Sequence, residues 1–217
     1  MNDGFCLFFY FLVSYERVFV WVRAIVVSER KVQILDTAER LFSERGYHAT
    51  SMRDLAGALD LKGSSLYSHI RSKEELLWLI LERAANEFLA SIQPFTTSSD
   101  PPASRLRAAI HAHVQVVTNN LDAATVYFHE WKFLREPQRS LFLASRREYE
   151  QAMRLLVTEC VQSGEFRAVE PKWATILILS PVNWLYHWYD PTGALSSDEI
   201  AEHLIQMLFQ GLRGESG

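Results

Sequence analysis

The sequence predicts an all-α protein: a three-helix N-terminal head joined by a long helix to an all-helical body. Three observations carry this prediction. From Ser28 onward apolar residues recur at three- and four-residue spacing, with no strand-like alternation. Helix-starting residues (Ser28, Ser51, Ser72) and breaks (Gly46, Asn119-Asn120, Glu136-Pro137, Ser163-Gly164, Asp190-Pro191-Thr192-Gly193) divide the chain into segments of helical length. Hydrophobic residues make up 48% and charged residues 22%, enough for a packed core and too few charges for a disordered chain.

Residues 1–27 stand apart from this pattern. An apolar run from Phe5 to Val13 is followed by Glu16-Arg17 and a second run from Val18 to Val22. A membrane span takes roughly 20 uninterrupted apolar residues. A signal peptide takes a basic start and a small-residue cleavage site, whereas Asp3 lies near this start and no Ala-x-Ala follows. The expectation is an over-extended start, with a valine-type start codon at Val26 or Val27; a membrane anchor is the alternative.

Ser28 can cap a first helix whose apolar positions are Val32, Leu35, Ala38, Leu41 and Phe42, and Gly46 supplies the left-handed position that ends it. Ser51 with Asp54 three residues on is a weak capping box for a short second helix ending near Leu59. Asp60 occupies the tight turn, where positive φ is wanted. A third helix runs from about Gly63 to Ile70, and Ser72-Lys73-Glu74-Glu75 is a full capping box for a long fourth helix through Leu76, Leu77, Ile80, Ala84 and Phe88. Residues 94–104 read as a linker, and helices are expected at about 104–120, 123–135, 137–163, 171–188 and 197–212. The expected organisation is a head over 28–74 and a body over 75–217.

Two short helices joined by a tight turn form a helix-turn-helix, whose second helix can enter the major groove of DNA. Leu66 and Ile70, four apart, should face inward, leaving Lys62, Gly63, Ser64, Ser65, Tyr67, Ser68 and His69 outward. Gly63 and the small serines let the backbone approach phosphates; Tyr67, His69 and Lys73 can donate to them. Thr50, Ser51 and Arg53 extend the face at the start of the second helix. The net charge of -4 argues against DNA binding only until it is divided: from Arg45 to Lys73, the bases Arg45, Arg53, Lys62, Arg71 and Lys73 stand against Asp54 and Asp60, while acids outnumber bases from Leu76 onward.

These residues resemble a known family. Ile34-Leu35-Asp36-Thr37-Ala38, Leu41-Phe42, Gly46-Tyr47, Thr50-Ser51-Met52-Arg53-Asp54-Leu55-Ala56, Gly63-Ser64-Ser65-Leu66-Tyr67-Ser68-His69 and Ser72-Lys73-Glu74-Glu75-Leu76-Leu77 are similar to the head of the tetracycline-repressor (TetR) family. The resemblance implies a homodimer, a palindromic operator and repression released by a small molecule, and it matches Tyr67 and Lys73 to a phosphate-contacting tyrosine and lysine. Asp60 stands where the family usually has a turn glycine, and Ile70 where it has an aromatic core residue. Such a regulator is expected in the cytoplasm.

In the body, Phe142, Arg146, Tyr149, Met153, Leu156 and Cys160 share one stripe, so Arg146 sits among apolar residues. A buried guanidinium needs a counterpart: either a carboxylate such as Glu130 or an anionic ligand, to which Arg147 could add. The aromatic residues Trp184, Trp188 and their neighbours Asn183 and His187 follow Pro181, which should kink the helix and open space. Tyr127 and Trp131 could face them. Glu130-Trp131, Arg146 to Glu150, Asn183-Trp184, Trp188-Tyr189-Asp190-Pro191 and Gly193 resemble the acyl-CoA-responsive branch of the family, which implies an acyl-CoA effector. Tyr127, Trp131, Tyr149, Met153, Trp184 and Trp188 would then hold the acyl group, with Arg146 or Arg147 at the carbonyl or phosphates. Binding would swing the helix that begins at Lys73. The alternative is a neutral hydrophobic drug or lipid, with Arg146 purely structural. Ile200, Leu204, Met207, Leu208 and Leu212 form an amphipathic last helix, so the last two helices are expected to make the dimer interface.

No nucleophile elbow, phosphate-cradling glycine loop or arguable Ser/His/Asp set points to an enzyme, and no cofactor or metal site is expected. His111 and His113, two apart, fall on different sides of a helix, and His129, His187 and His203 are isolated. A pure protein-interaction module would leave the donors of the head unused.

Overall fold

The structure, a computed structural model, describes residues 29–212. Ser28, the apolar stretch before it and the expectations attached to them lie outside the described residues. The regular elements are helices: α1 (Glu29–Arg45), α2 (Met52–Ala58), α3 (Gly63–Tyr67), α4 (Lys73–Thr97), α5 (Pro102–Asn119), α6 (Leu121–His129), a 3-10 turn (Glu130–Phe133), α7 (Gln138–Gln162), α8 (Pro171–Asn183), α9 (Leu185–Trp188) and α10 (Ser197–Leu212).

The turns of the head are held by bonds close in sequence. Gly46, at φ +83°, ends α1 and donates its N–H to the Phe42 carbonyl at 3.0 Å. Ser51 caps α2 reciprocally: its hydroxyl accepts from the Asp54 N–H at 3.1 Å, and Asp54 accepts from the Ser51 N–H at 2.8 Å. The box at Ser72 is only half made. Ser72 accepts from the Glu75 N–H, but the Glu75 carboxylate reaches one residue further back, to the Arg71 N–H at 2.7 Å. Asp60 adopts φ +51°, and the Leu61 and Asp60 N–H groups donate to the Ala56 and Gly57 carbonyls at 2.8 and 3.2 Å. That is a Schellman closure with aspartate where glycine is commonest, and aspartate tolerates the left-handed region better than most residues. α3 ends at Tyr67, short of the expected Ile70, although Leu66 and Ile70 are both buried. Val32, counted in the stripe of α1, is exposed; Ile34 is the buried member.

In the body, α4 runs through Pro94 to Thr97, so the expected linker over 94–104 shrinks to the turn before Pro102. The helix survives its proline because Ile92 is buried and Phe95 packs on the core in the same last turns. The expected helix over 123–135 is instead α6, capped by Asn120 (Ala123 N–H to Asn120 Oδ1, 3.0 Å), followed by the 3-10 turn. The expected helix over 171–188 breaks after Asn183. Pro181 cannot donate to the preceding turn, and three residues on the Trp184 N–H closes a tighter bond to the Pro181 carbonyl at 3.2 Å.

α4 packs on α1, α5, α6 and α7, and α5 packs on α7 and α10. One continuous cluster of buried residues runs from Ile34 on α1 to Leu212 on α10, so the core of the head merges with that of the body. A network of Glu39, Arg83, Asp36 and Asn120 joins α1, α4 and the start of α6; Arg83 reaches Asp36 at 2.9 Å and also meets the buried Glu39, which Asn120 meets in turn.

Candidate nucleic-acid interface and ligand cavity

The face formed by α2 and α3 carries Arg53, Lys62, Gly63, Ser64, Tyr67, Ser68 and His69 in exposed positions, with Ser65 half-buried. Tyr67 is 54% exposed. None of these side chains is held in an ion pair with an acid. Ser68 is tied to its own helix, donating to the Ser65 carbonyl at 2.7 Å, and the Ser51 hydroxyl donates to Asp54.

Two residues expected on this face do other work. Thr50 is buried and donates its hydroxyl to the carbonyls of Leu41 and Gly46, at 3.2 and 3.0 Å. A side chain so enclosed cannot touch DNA; it shapes the loop between α1 and α2. Lys73 directs its ammonium inward, donating to the carbonyls of Tyr47 and Thr50 at 2.8 and 2.9 Å and sitting 4.3 Å from the centre of the Tyr47 ring. Two of its three donors are spent clamping that loop to α4.

The same loop is gripped from the body. Glu130 accepts the Tyr47 N–H at 3.1 Å. Phe133 stacks on Tyr47 (centroids 5.6 Å apart, planes at 17°) and meets the His48 ring edge-on at 4.1 Å. The 3-10 turn therefore fastens the end of α6 to the base of the helix-turn-helix.

A cavity of about 360 Å³ opens between α4, α5, α6, α7 and α8. Of the expected ligand residues, Tyr127, Arg146, Arg147, Tyr149 and Asn183 line it, together with Phe88, His113, Phe128, Leu143, Glu150, Ile176, Leu179 and Ser180. Glu130, Trp131, Met153, Trp184, His187 and Trp188 do not. Glu130 is committed to Tyr47, and Met153 is sealed in the core. Trp131 stacks on Phe142 at 6.2 Å, outside the cavity. The break after Asn183 turns Trp184 and Trp188 outward, each about half exposed, and His187 packs on Trp184 at 4.5 Å.

Arg146 makes no ion pair among the described residues, with Glu130 or any other acid. Its guanidinium lies 5.7 Å from the centre of the Tyr127 ring and 5.8 Å from that of Trp131, bridging the cavity wall to the 3-10 turn. Arg147 is exposed at the cavity rim. Glu150, beside them, is taken by Arg154. The rim thus offers two guanidinium groups with no carboxylate partner, suited to an anionic group.

The polar group on the cavity wall that sequence reasoning missed is His113. It is buried, and its Nδ1 lies 2.7 Å from the Tyr149 hydroxyl. Burial pushes the imidazole down to about 3, outweighing a smaller opposite effect of Asn183, so the ring stays neutral. Burial likewise pushes Tyr127 up to about 12 and raises Tyr149 further, keeping both phenols protonated. The signal was present: Leu106, Ala109, Ile110, His113 and Val117 share the buried stripe of α5. His111 does diverge, pairing with Glu202 on α10 at 2.6 Å.

α8, α9 and α10 also carry exposed Trp173 (67%), Leu177, Trp188 and Met207 (62%). Among the described residues no group of histidines, cysteines and acids could hold a metal, and no helix is long and apolar enough to cross a membrane.

Residues 34–78 match the family described as bacterial regulatory proteins, tetR family, and residues 99–212, more than half the chain, match the tetracyclin repressor-like C-terminal domain. The chain belongs to the TetR family. It is a DNA-binding transcriptional regulator, with the head of the family at 34–78. The HTH-type transcriptional repressor KstR2 of Rhodococcus jostii (strain RHA1) is 27% identical over 187 residues, 85% of this regulator and 92% of that relative. AibR, solved in complex with isovaleryl coenzyme A and operator DNA, is 31% identical with a TM-score of 0.76, covering 83% of this regulator and 98% of AibR. The regulator PfmR of Thermus thermophilus is 32% identical with a TM-score of 0.77, covering 84% and 100% of the two chains.

Proposed function

We propose that this regulator is a homodimeric repressor, acting in the cytoplasm, that leaves a palindromic operator when an acyl-CoA thioester fills the cavity. The observation that carries this reading is the cavity itself: aromatic and aliphatic walls below a rim where Arg146 and Arg147 lack carboxylate partners. Apolar walls suit an acyl group, and a guanidinium fork suits phosphate oxygens. The similarity to AibR, solved with isovaleryl coenzyme A and operator DNA, supports the same ligand class. Arg53, Lys62, Ser64, Tyr67, Ser68 and His69 form the DNA face, with Gly63 and Ser65 allowing close approach. The exposed apolar residues of α8 to α10 form the dimer interface, which sets the two reading helices roughly 34–36 Å apart, one turn of B-DNA.

The route from cavity to DNA runs along α6. Tyr127 and Phe128 line the cavity; Glu130 and Phe133, in the next turn, hold Tyr47 and His48. A ligand anion that draws Arg146 away from Trp131 shifts the 3-10 turn and with it the base of the helix-turn-helix, alongside a swing of α4 from Lys73. Only a difference in affinity between the two arrangements can drive this, typically about 1–3 kcal/mol.

Gel-shift with the regulator's own promoter DNA, titrated with short- and medium-chain acyl-CoAs, the free acids and CoA alone, tests the reading. Thioesters should release the DNA where the acids and CoA do not. Release by neutral hydrophobic compounds, with every thioester inert, would favour the drug or lipid alternative and leave Arg146 a structural stack on Tyr127 and Trp131.

A further inference from the structure

Away from the arginines of the rim, the cavity wall holds a hydrogen-bonding function that the protein leaves open. His113 Nδ1 pairs with the Tyr149 hydroxyl, and His113 Nε2, fully buried, has no partner. The pair owns two protons, one on the phenol and one on the neutral ring, and the bond between them uses one. If Tyr149 donates, the ring proton sits on Nε2 as an unused donor; if Nδ1–H donates, Nε2 is a bare acceptor and the phenol proton is unused. Either tautomer leaves a polar group unmet in a core, where such groups are almost always satisfied.

Its surroundings do not supply the partner. Phe88 lies 5.0 Å from the ring, and Ile176 and Leu179 add apolar wall. Asn183 is near enough to act on the ring as a weak hydrogen-bonding group that favours its charged form, but it does not reach Nε2 with the distance and angle of a formed hydrogen bond. The Ser180 hydroxyl is spent on the Ile176 carbonyl at 2.6 Å. The exposed Arg147 marks the mouth of the cavity and the enclosed His113 its floor. A thioester entering with its CoA part at the arginines leaves its sulfur and carbonyl near the mouth and sends the acyl chain to His113.

We propose that the acyl group of the effector carries an oxygen function, a keto or hydroxyl group, that closes the open hydrogen bond of His113 at the floor of the cavity. This rests on the thioester reading above and narrows it. A saturated acyl chain would seal Nε2 against hydrocarbon, whereas a keto or hydroxyl oxygen accepts from Nε2–H, and a hydroxyl can also donate to the bare nitrogen. Because His113 stays neutral, the preference does not change between about pH 6 and pH 8.

Calorimetry on the full chain with hexanoyl-CoA, 3-hydroxyhexanoyl-CoA, 3-oxohexanoyl-CoA and 5-oxohexanoyl-CoA tests this, the set placing oxygen at two depths. At least one oxygenated thioester should bind about tenfold tighter than hexanoyl-CoA. His113→Phe should erase that preference, so that the oxygenated thioesters bind no tighter than hexanoyl-CoA to the same variant, and His113→Gln, which keeps a donor and an acceptor, should restore part of it. The wild-type comparison stands alone should the Phe variant not fold. Equal or tighter binding of hexanoyl-CoA than of all three oxygenated thioesters, or a folded His113→Phe that keeps the preference, overturns the inference and leaves the thioester effector intact. Binding of none of the four removes the thioester reading and this inference together.

Discussion

In the head, the bonds that shape the backbone mostly join neighbours: Ser51 with Asp54, Ser72 with Glu75, and the two N–H groups that close α2 around Asp60. In the body, the bonds that shape the cavity and its link to the head join residues far apart, His113 with Tyr149 across 36 positions and Glu130 with Tyr47 across 83. The head is therefore a frame built locally, presenting side chains left free for another molecule. The body is a packed assembly whose polar groups depend on how distant helices meet, and it leaves some of them unmet, His113 Nε2 on the cavity wall among them. A local frame can hold one shape while a long-range assembly shifts, and that is what a DNA reader coupled to a ligand cavity requires.

The largest effect is expected where the two regimes meet. Lys73→Met removes both bonds that clamp the loop between α1 and α2, each a charge-assisted bond to a carbonyl. Thermal or urea unfolding should show a loss of about 2–3 kcal/mol, with operator affinity falling and its salt dependence little changed. A stable variant whose affinity falls only through a flatter salt slope would return Lys73 to the phosphate-contacting role.

Next is the pH dependence of the body. With a folded pKa of about 3 against the ordinary 6.5, His113 takes up a proton in the unfolded chain well before it does so in the fold. Its contribution is present in full above about pH 6.5 and is lost progressively as pH falls toward 3. Between pH 7 and pH 5 that amounts to about 2 kcal/mol. Urea unfolding of wild type and His113→Phe at both values should show a smaller acid loss in the variant; parallel losses would mean that the buried ring is not the titrating group.

A smaller change, about 1 kcal/mol, is expected from Glu130→Gln, which weakens the bond to the Tyr47 N–H. Ligand affinity measured without DNA should hold while the ligand-driven release of operator shrinks. Unchanged release would place the coupling in α4 alone. Smallest is Tyr67→Phe, which removes one hydroxyl from the exposed face. Competition gel-shifts should show a roughly two- to tenfold loss, equal on operator and random DNA, because phosphate contacts position without specifying. Ser64→Ala should instead change the ranking of operator variants.

The contrast also explains what could be read from the sequence. The turn at Asp60, the cap at Ser51, the inward pair Leu66 and Ile70, and α10 are local patterns, and they were legible in spacing and residue type alone. Thr50 and Lys73 were assigned to DNA because both residue types can donate to phosphate; only the folded loop shows them turned inward to carbonyls. In the body, the stripe of α7 brought Arg146 and Tyr149 to the cavity as read. Trp184 and Trp188 were placed at the cavity because one helix over 171–188, kinked at Pro181, was expected; it breaks after Asn183 instead, and both tryptophans are about half exposed. His113 escaped notice because its partner lies on another helix, although its place on the buried stripe of α5 was visible.

If the thioester-filled cavity and the DNA face share a single equilibrium, linkage makes their coupling reciprocal. The direct measurement is the affinity of the dimer for its tightest-binding acyl-CoA, by calorimetry, first free and then saturated with operator DNA. Operator should weaken thioester binding by the same factor by which the thioester weakens operator binding, a factor of about 5–150. An identical thioester affinity with and without DNA would mean that the two sites are uncoupled, leaving a DNA-binding protein whose cavity does not govern it.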